Sequence, residues 1–236
     1  IHIPVVRKFI GVALRKAEHI IALSEDLKSA TSQFGVPPEK ITVIPNGVNI
    51  DQFPMGERST RKTQILFVGS LIERKGVNYL IKHPDYRLIL VGEGRDRNNF
   101  EKMVTRLGLE ETIVFVGTQS QQMVSELMRE SRLLVLPSIE EGQGVVLVEA
   151  LASGTPCVGS RVGGIPDVIT PDVGQLVEPR DVQGLAAAIN RYIEDDVMWK
   201  NASQKARERV EREYDWFTLS EKMITVYHQV LNKEKR

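Results

Sequence analysis

The stretch Leu136-Pro-Ser-Ile-Glu-Glu-Gly-Gln-Gly-Val-Val-Leu-Val-Glu149 decides the fold class of this 236-residue chain. It begins in an apolar run typical of a buried strand, continues through a glycine-bearing loop, and enters an apolar helix. A strand that leads through a short loop into a helix is the repeating unit of α/β folds with a parallel sheet. The start of such a helix offers free backbone amides and a positive dipole end, which predict an anion site.

Two carboxylates flank this predicted anion site. Seven residues separate Glu141 on the loop from Glu149, which lies four residues after Val145 and therefore on the same helical face. A carboxylate repels phosphate but accepts two hydrogen bonds from a vicinal diol such as ribose. Amides that suit phosphate, beside carboxylates that suit hydroxyls, predict a nucleotide-sugar site. Three alternatives stay open: Glu140 and Glu141 form a solvated loop pair, or Glu149 either complements the helix dipole or pairs with a basic side chain.

Apolar runs alternate with amphipathic segments along the rest of the chain, which predicts an α/β fold with a parallel sheet covered on both faces. The predicted strands are residues 20–23, 40–44, 65–68, 87–91, 113–116, 133–136, 157–160 and 175–177. The predicted helices are residues 4–18, 25–34, 75–82, 96–107, 120–131, 145–153, 181–195, 198–213 and 216–231. The polar stretch 51–62 lacks periodicity and is the predicted linker.

Composition excludes several classes of protein. Basic and acidic side chains balance at 31 each, so no net field attracts nucleic acid or an anionic membrane. No apolar run reaches the roughly 18 residues that span a bilayer, and no signal peptide is visible. The lone Cys157 predicts a buried structural thiol and a reducing, cytoplasmic compartment. The four histidines show no metal-ligand spacing, so no metal site is expected; they are His2, His19, His83 and His228.

Further motifs follow in a fixed order along the chain. They are Pro45-Asn-Gly-Val48, Val68-Gly-Ser-Leu-Ile-Glu-Arg-Lys75-Gly76, Val91-Gly-Glu-Gly94, Phe115-Val-Gly117, Gly163-Gly-Ile-Pro-Asp167 and Gly174-Gln-Leu-Val-Glu-Pro179. With the spaced pair Glu141 and Glu149, the set resembles the retaining GT-B glycosyltransferases of family 4, the glycosyl transferases group 1, over roughly residues 17–230. Each motif alone is weak, whereas their ordered set is specific.

The resemblance implies transfer of a hexose, with retention, from a UDP- or GDP-linked sugar to a hydroxyl acceptor without metal or other cofactor. It implies a Rossmann-like parallel sheet with helices on both faces, the second half of a GT-B architecture. Residues 1–61 would close an amino-terminal, acceptor-side domain and include the linker, 62–215 would bind the donor, and 216–236 would form a helix that crosses back. Most of the first domain is expected to lie outside this sequence. The chain alone is then expected to bind donor weakly and to transfer nothing, and any membrane contact would come through that domain.

The resemblance also implies roles for single residues. Lys75, with Arg74, would stabilise the departing diphosphate, Glu141 would hold the sugar, and Glu149 the ribose. The other predicted donor contacts are Gly69, Ser70, Gly92, Gly94, Gly117, Gly142, Gln143, Gly144, Val145 and Val146. A lone lysine is by default solvated, but the place of Lys75 after a buried strand and loop favours phosphate contact. On the residues alone, Gly92 and Gly94 are equally plain turn residues.

Three positions depart from the family pattern. Ser70 replaces a common Arg, Gln143 a usual aromatic residue, and Asp167 a usual Glu; Arg74 is predicted to supply the charge that Ser70 lacks. The remaining alternatives are a GT-B sugar-nucleotide epimerase, a nucleotide-binding module without catalysis, and a structural interaction domain. A nicotinamide-dependent dehydrogenase is disfavoured, because Arg97 stands where that motif needs its third glycine.

Overall fold

Helices and strands alternate along almost the whole chain in the computed structural model, which describes residues 4–56, 61–82 and 86–233. The strands are β1 (Ile20–Ala22), β2 (Ile41–Val43), β3 (Lys62–Val68), β4 (Arg87–Val91), β5 (Ile113–Gly117), β6 (Ser131–Leu136), β7 (Cys157–Ser160) and β8 (Gly174–Val177). The helices are α1 (Pro4–Lys16), α2 (Glu25–Ser32), α3 (Val77–Ile81), α4 (Arg97–Leu107), α5 (Gln121–Glu130), α6 (Val145–Ala152), α7 (Ile165–Val168), α8 (Val182–Glu194), α9 (Asp196–Glu213) and α10 (Trp216–Lys233).

Six parallel strands form the main sheet in the order β5-β4-β3-β6-β7-β8. The central strands are buried on both faces, and every residue from Leu133 to Leu136 is at most 1% exposed. Helices α3, α4 and α8 pack together on one face, while α5, α6 and α9 pack together on the other. The predicted α/β fold with a parallel sheet is confirmed.

The strand order reverses at the middle of this sheet. From β3 the chain proceeds outward to β4 and β5, and from β6 it proceeds in the opposite direction to β7 and β8. The loops that leave β3 and β6 therefore part toward opposite faces and open a crevice at the carboxyl ends of these two strands. In open parallel sheets this switch point is where ligands bind.

A smaller unit precedes the main sheet. Strands β1 and β2 pair in parallel, with Ile20 opposite Ile41, and helices α1 and α2 pack beside them. The last helix, α10, returns to this unit, because its Leu219 and Val226 pack against Ile44. We call residues 4–48 the amino-terminal unit. The predicted boundaries at residues 61 and 215 stay predictions.

Some predicted elements differ in detail from those observed. The predicted helix 75–82 divides at Gly76, whose φ of 72° turns the chain, so that Lys75 lies in a 3-10 turn, Glu73–Lys75, ahead of α3. The short helix α7 begins directly after Gly163-Gly164 and has too few residues to show a period. Phe53, inside the predicted linker, is fully buried. His2 and His83, the linker residues 57–60 and the tail 234–236 lie outside the described residues.

Candidate functional site

Two loops that are distant in sequence meet in the crevice between β3 and β6. The amide of Ile139, on the loop after β6, donates to the carbonyl of Arg74, on the loop after β3, at 2.7 Å. Gly76 closes the contact from the other side, since a Cβ there would overlap the carbonyl oxygen of Pro137. The structure thus brings together the two sets of charged residues that the sequence placed at the ends of different strands.

Lys75 and Glu141 form an ion pair in this crevice. The Lys75 Nζ lies 2.5 Å from the Glu141 Oε2, and the side chains are only 17% and 12% exposed. Glu141 also accepts from the Ser138 hydroxyl and from the amide of Gly142, both at 3.2 Å. The solvated alternative is therefore wrong for Lys75 and Glu141, although Glu140 is exposed. Nothing in the sequence pattern marked Ser138 as a partner.

The beginning of α6 presents unpaired amides to the crevice. Gly144, at φ 78°, starts the helix, and no side chain caps it. Within the described part of the chain, the amides of Val145 and Val146 have no backbone acceptor either. These two amides lie at the positive end of an apolar eight-residue helix, where the sequence predicts an anion site; anion binding there stays a prediction.

Glu149 has an unusual environment for a carboxylate. It lies in the second turn of α6 between buried Val148 and Ala150, and burial raises its pKa to about 7. No hydrogen bond or ion pair to its carboxylate is present among residues 4–56, 61–82 and 86–233. The salt-bridge alternative is therefore wrong within these residues, and its place beyond the first turn weakens the helix-dipole alternative. A desolvated, unpaired carboxylate is costly, which makes Glu149 a candidate contact for a ligand that donates hydrogen bonds.

A pocket of about 300 Å³ continues the crevice along the ends of β3, β4 and β5. Its lining includes Gly69, Ser70, Gly92, Glu93, Thr118 and Gln119. Gly92 has a φ of 127°, and a Cβ there would overlap the Gly69 carbonyl oxygen. This close contact between neighbouring loops accounts for Gly92 without any ligand. Its contact with a donor, like those of Gly94 and Gly117, stays a prediction.

The three departures from the family pattern differ in placement. Ser70 is exposed on the rim of the pocket, and Arg74 is exposed, with no partner for its guanidinium in the described parts of the chain. The Gln143 side chain is only 4% exposed and hydrogen-bonds the backbone of Asn46. Its side chain is thus occupied, and only its amide remains for the predicted donor contact. Asp167 accepts a hydrogen bond from the amide of Glu25 at 2.9 Å.

Three further features are the lone cysteine, possible metal ligands and possible membrane-spanning helices. Cys157 is fully buried and burial raises the pKa of its thiol, as expected of a structural cysteine. Among the described residues, no three His, Cys, Asp or Glu side chains gather as metal ligands would. None of the helices in this part of the chain has the length and apolar character needed to cross a membrane.

Solved structures with the same architecture were found by comparison. A sucrose-phosphate synthase from Thermosynechococcus elongatus has a TM-score of 0.89 at 26% identity, over 98% of this chain and 63% of that one. HepE of Anabaena, in complex with UDP and glucose, has a TM-score of 0.86 at 26% identity, over 95% of this chain and 66% of that one. The parallel sheet, its crevice and these neighbours define the GT-B class of fold.

Sequence comparisons are more specific. Residues 50–209 match the family of glycosyl transferases group 1, and residues 3–52 match Glycosyltransferase Family 4. The first match covers most of this chain, so the chain belongs to the glycosyl transferases group 1 family. An uncharacterized glycosyltransferase of Methanocaldococcus jannaschii is 30% identical over 88% of this chain and 59% of its own length. A glycogen synthase of Mycobacterium tuberculosis is 31% identical over 91% of this chain and 55% of its own length. The chain spans little more than half the length of these relatives.

Proposed function

We propose that this chain is the donor-binding part of a retaining glycosyltransferase that moves a hexose from a UDP- or GDP-linked sugar to a hydroxyl acceptor. One observation carries the proposal: the Lys75–Glu141 pair, the free amides of α6 and the unpaired Glu149 converge at the switch point of the sheet. A nucleotide sugar carries one chemical group for each of these three features. The complex of HepE with UDP and glucose supports this class of ligand.

Each part of the donor has a proposed partner. The diphosphate lies against the amides of Val145 and Val146, with Lys75 and Arg74 opposing its charge. Glu149 accepts hydrogen bonds from the ribose hydroxyls, and Glu141 from the sugar hydroxyls. Because Lys75 is already neutralised by Glu141, Arg74 carries the net positive charge that the incoming diphosphate meets.

The chemical step follows from these placements. The charge that builds on the departing diphosphate is stabilised by fixed amides and cations that need no reorganisation. Retention then proceeds by attack of the acceptor on the face that the diphosphate leaves, with the leaving phosphate taking the acceptor proton. This mechanism requires no side chain as a nucleophile, and we propose that no metal takes part. Donor affinity unchanged by EDTA would support that last point.

We further propose that the active enzyme has an acceptor-side domain built on the amino-terminal unit. The sheet of β1 and β2 has only two parallel strands, whereas parallel sheets are normally covered and extended. Large apolar side chains beside it are exposed, among them Phe9 at 72% on α1 and Phe217 at 71% on α10. A closed cleft needs that domain to exclude water, so the chain alone binds donor and transfers nothing. The cytoplasmic location stays a prediction from the lone cysteine.

Calorimetric titration with UDP, GDP and ADP tests the proposal. We expect one diphosphate to bind, and we expect Glu149→Ala to abolish the binding. Glu140→Ala is the matched control, because Glu140 belongs to the same segment but is exposed and should not matter. Absence of binding to all three nucleotides, or equal losses in both variants, would contradict a donor site at Glu149.

A further inference from the structure

Gln143 joins the donor loop to the amino-terminal unit, where we define the donor loop as residues 141–144. Its Oε1 accepts from the amide of Asn46 at 2.7 Å, and its Nε2 donates to the carbonyl of Asn46 at 2.8 Å. Both hydrogen bonds reach one residue that lies 97 positions earlier in the chain. Among the described residues these backbone groups of Asn46 have no other partner, so the Gln143 amide satisfies both of them.

The residues that follow Asn46 are held firmly. The Val48 amide donates to the Tyr214 carbonyl at 2.9 Å, and the Trp216 amide donates to the Val48 carbonyl at 3.2 Å. Gly47 packs so closely on Tyr214 and Leu219 that a Cβ would not fit. Asn46 therefore adjoins a segment that hydrogen bonds and close packing hold against the beginning of α10. Gln143 attaches the donor loop to this segment.

Two glycines make the donor loop costly to order, although Glu141 at its start is held by Lys75 and Ser138. Gly142 and Gly144 flank Gln143, and glycine loses more conformational freedom on ordering than any other residue. A second attachment comes from Gly164, whose amide donates to the Gly142 carbonyl at 2.9 Å. Three residues further on, Asp167 accepts from Glu25 of the amino-terminal unit. The attachments through Gln143 and through Gly164 thus both lead to the amino-terminal unit, whereas Glu141 is held by Lys75 and Ser138 on the loops after β3 and β6.

We propose that Gln143 is a positioning residue, through which the amino-terminal unit sets the geometry of the donor loop. Its two hydrogen bonds hold the backbone on either side of it, and so they aim Glu141 and the first amides of α6 at one point. By linkage, a ligand that orders the loop also tightens the segment around Asn46. The consequence for donor binding rests on the proposed function, whereas the order of the unliganded loop does not.

Hydrogen exchange on the unliganded chain is the first test. Gln143→Leu should speed exchange of the hydrogen-bonded amides of Asn46, Gly142 and Gly164 together, on the order of ten-fold, because the two hydrogen bonds that hold the loop are lost. Gln64→Leu is the control, since Gln64 is also 4% exposed and its side chain bonds Ser131 inside the main sheet. Unchanged exchange in the donor loop of Gln143→Leu, or equal changes there in the control, would overturn the proposal.

A near-isosteric variant separates the effect of the two hydrogen bonds from the effect of side-chain packing. In Gln143→Glu the carboxylate at pH 8 still accepts from the Asn46 amide but faces the Asn46 carbonyl without a proton to donate. We expect the donor loop of this variant to exchange at least as fast as that of Gln143→Leu, although the side chain fills the same space. Exchange as slow as in the unaltered chain would show that packing alone orders the loop and would overturn the proposal.

Ligand binding provides the second arm. Gln143→Leu should weaken UDP-glucose about ten-fold and uridine much less, because uridine lacks the diphosphate and the sugar that we assign to the first amides of α6 and to Glu141. Faster loop exchange in a chain that binds neither ligand would sustain the positioning role and contradict the proposed function. Weaker UDP-glucose binding with unchanged loop exchange would mean that Gln143 contacts the ligand directly, which would overturn the positioning role.

Discussion

The Lys75 ammonium lies 2.5 Å from the Glu141 carboxylate, so the two residues that the sequence assigns to the diphosphate and to the sugar of a donor neutralise one another. Each is more than four-fifths buried, and within the described residues neither has a second ion-pair partner. An anion that enters the crevice competes with Glu141 for Lys75, while sugar hydroxyls compensate Glu141 for the loss. Each charge of the pair therefore has a partner in the protein. We expect a ligand that carries both a phosphate and sugar hydroxyls to replace the contact between them.

Removing one member of this pair should cost more than removing both. Lys75→Met leaves the Glu141 carboxylate buried without its cation, and we expect a loss of about 2 kcal/mol in the free energy of unfolding. Lys75→Met with Glu141→Gln should recover most of that loss, because a neutral pair of similar shape needs no counter-charge. Urea denaturation measures both. Equal losses in the single and double variants would mean that the pair does not act as a unit.

Glu149 should make stability fall as pH rises. Burial raises its pKa from 4.5 to about 7, so the folded state holds the proton more tightly than the unfolded chain does. Its stabilising contribution is full below pH 4.5 and is lost as pH rises through 7. Glu149→Gln should therefore gain about 2 kcal/mol in unfolding free energy over the unaltered chain at pH 8, and little at pH 4.

Thermal denaturation at several pH values checks this prediction. Glu140→Gln is the matched control, because Glu140 is exposed. A gain for Glu149→Gln that is the same at every pH would show that its carboxylate is not desolvated in the folded chain.

Much of the fold was predictable, because buried strands are apolar runs and the strand-loop-helix unit repeats. The placement of Lys75 and Glu141 at one site also followed, since the carboxyl ends of parallel strands meet at one edge, whereas the ion pair between them was not predicted. The direction of the Gln143 side chain did not follow, because a glycine-flanked loop residue has no period that assigns it a face. The split at Gly76 depends on a contact with Pro137 that only the tertiary structure supplies.

Donor binding should release protons near neutral pH. Ribose hydroxyls that donate to Glu149 favour the ionised carboxylate, so the pKa of Glu149 falls when the donor binds. The affinity of the chain for the donor therefore rises from pH 5 to 8. UDP-glucose is the suitable ligand, because its diphosphate diester does not titrate in this range. Calorimetry at pH 7 in two buffers of different ionisation enthalpy should report release of about half a proton. Glu149→Gln should abolish the difference, and its persistence would assign the proton to another group.

Arg74 should contribute to binding of the diphosphate and not of the nucleoside. Its guanidinium is exposed and has no partner in the described residues, while the nearby Ser70 carries no charge. Arg74→Ala should weaken UDP about ten-fold at low salt, less at high salt, and leave uridine unchanged. Arg95→Ala is the control, since Arg95 is 83% exposed on a neighbouring loop.

Moving the charge back to the family position sharpens that test. The double variant with Ser70→Arg and Arg74→Ala places one guanidinium at position 70, on the rim of the pocket at the end of β3, and leaves the total charge unchanged. If a single cation beside the diphosphate is what the site requires, this double variant should recover most of the UDP affinity that Arg74→Ala loses. Equal losses of UDP and uridine in Arg74→Ala would instead show that Arg74 shapes the loop after β3. In that case Ser70→Arg would restore neither ligand, because no charge had been missing.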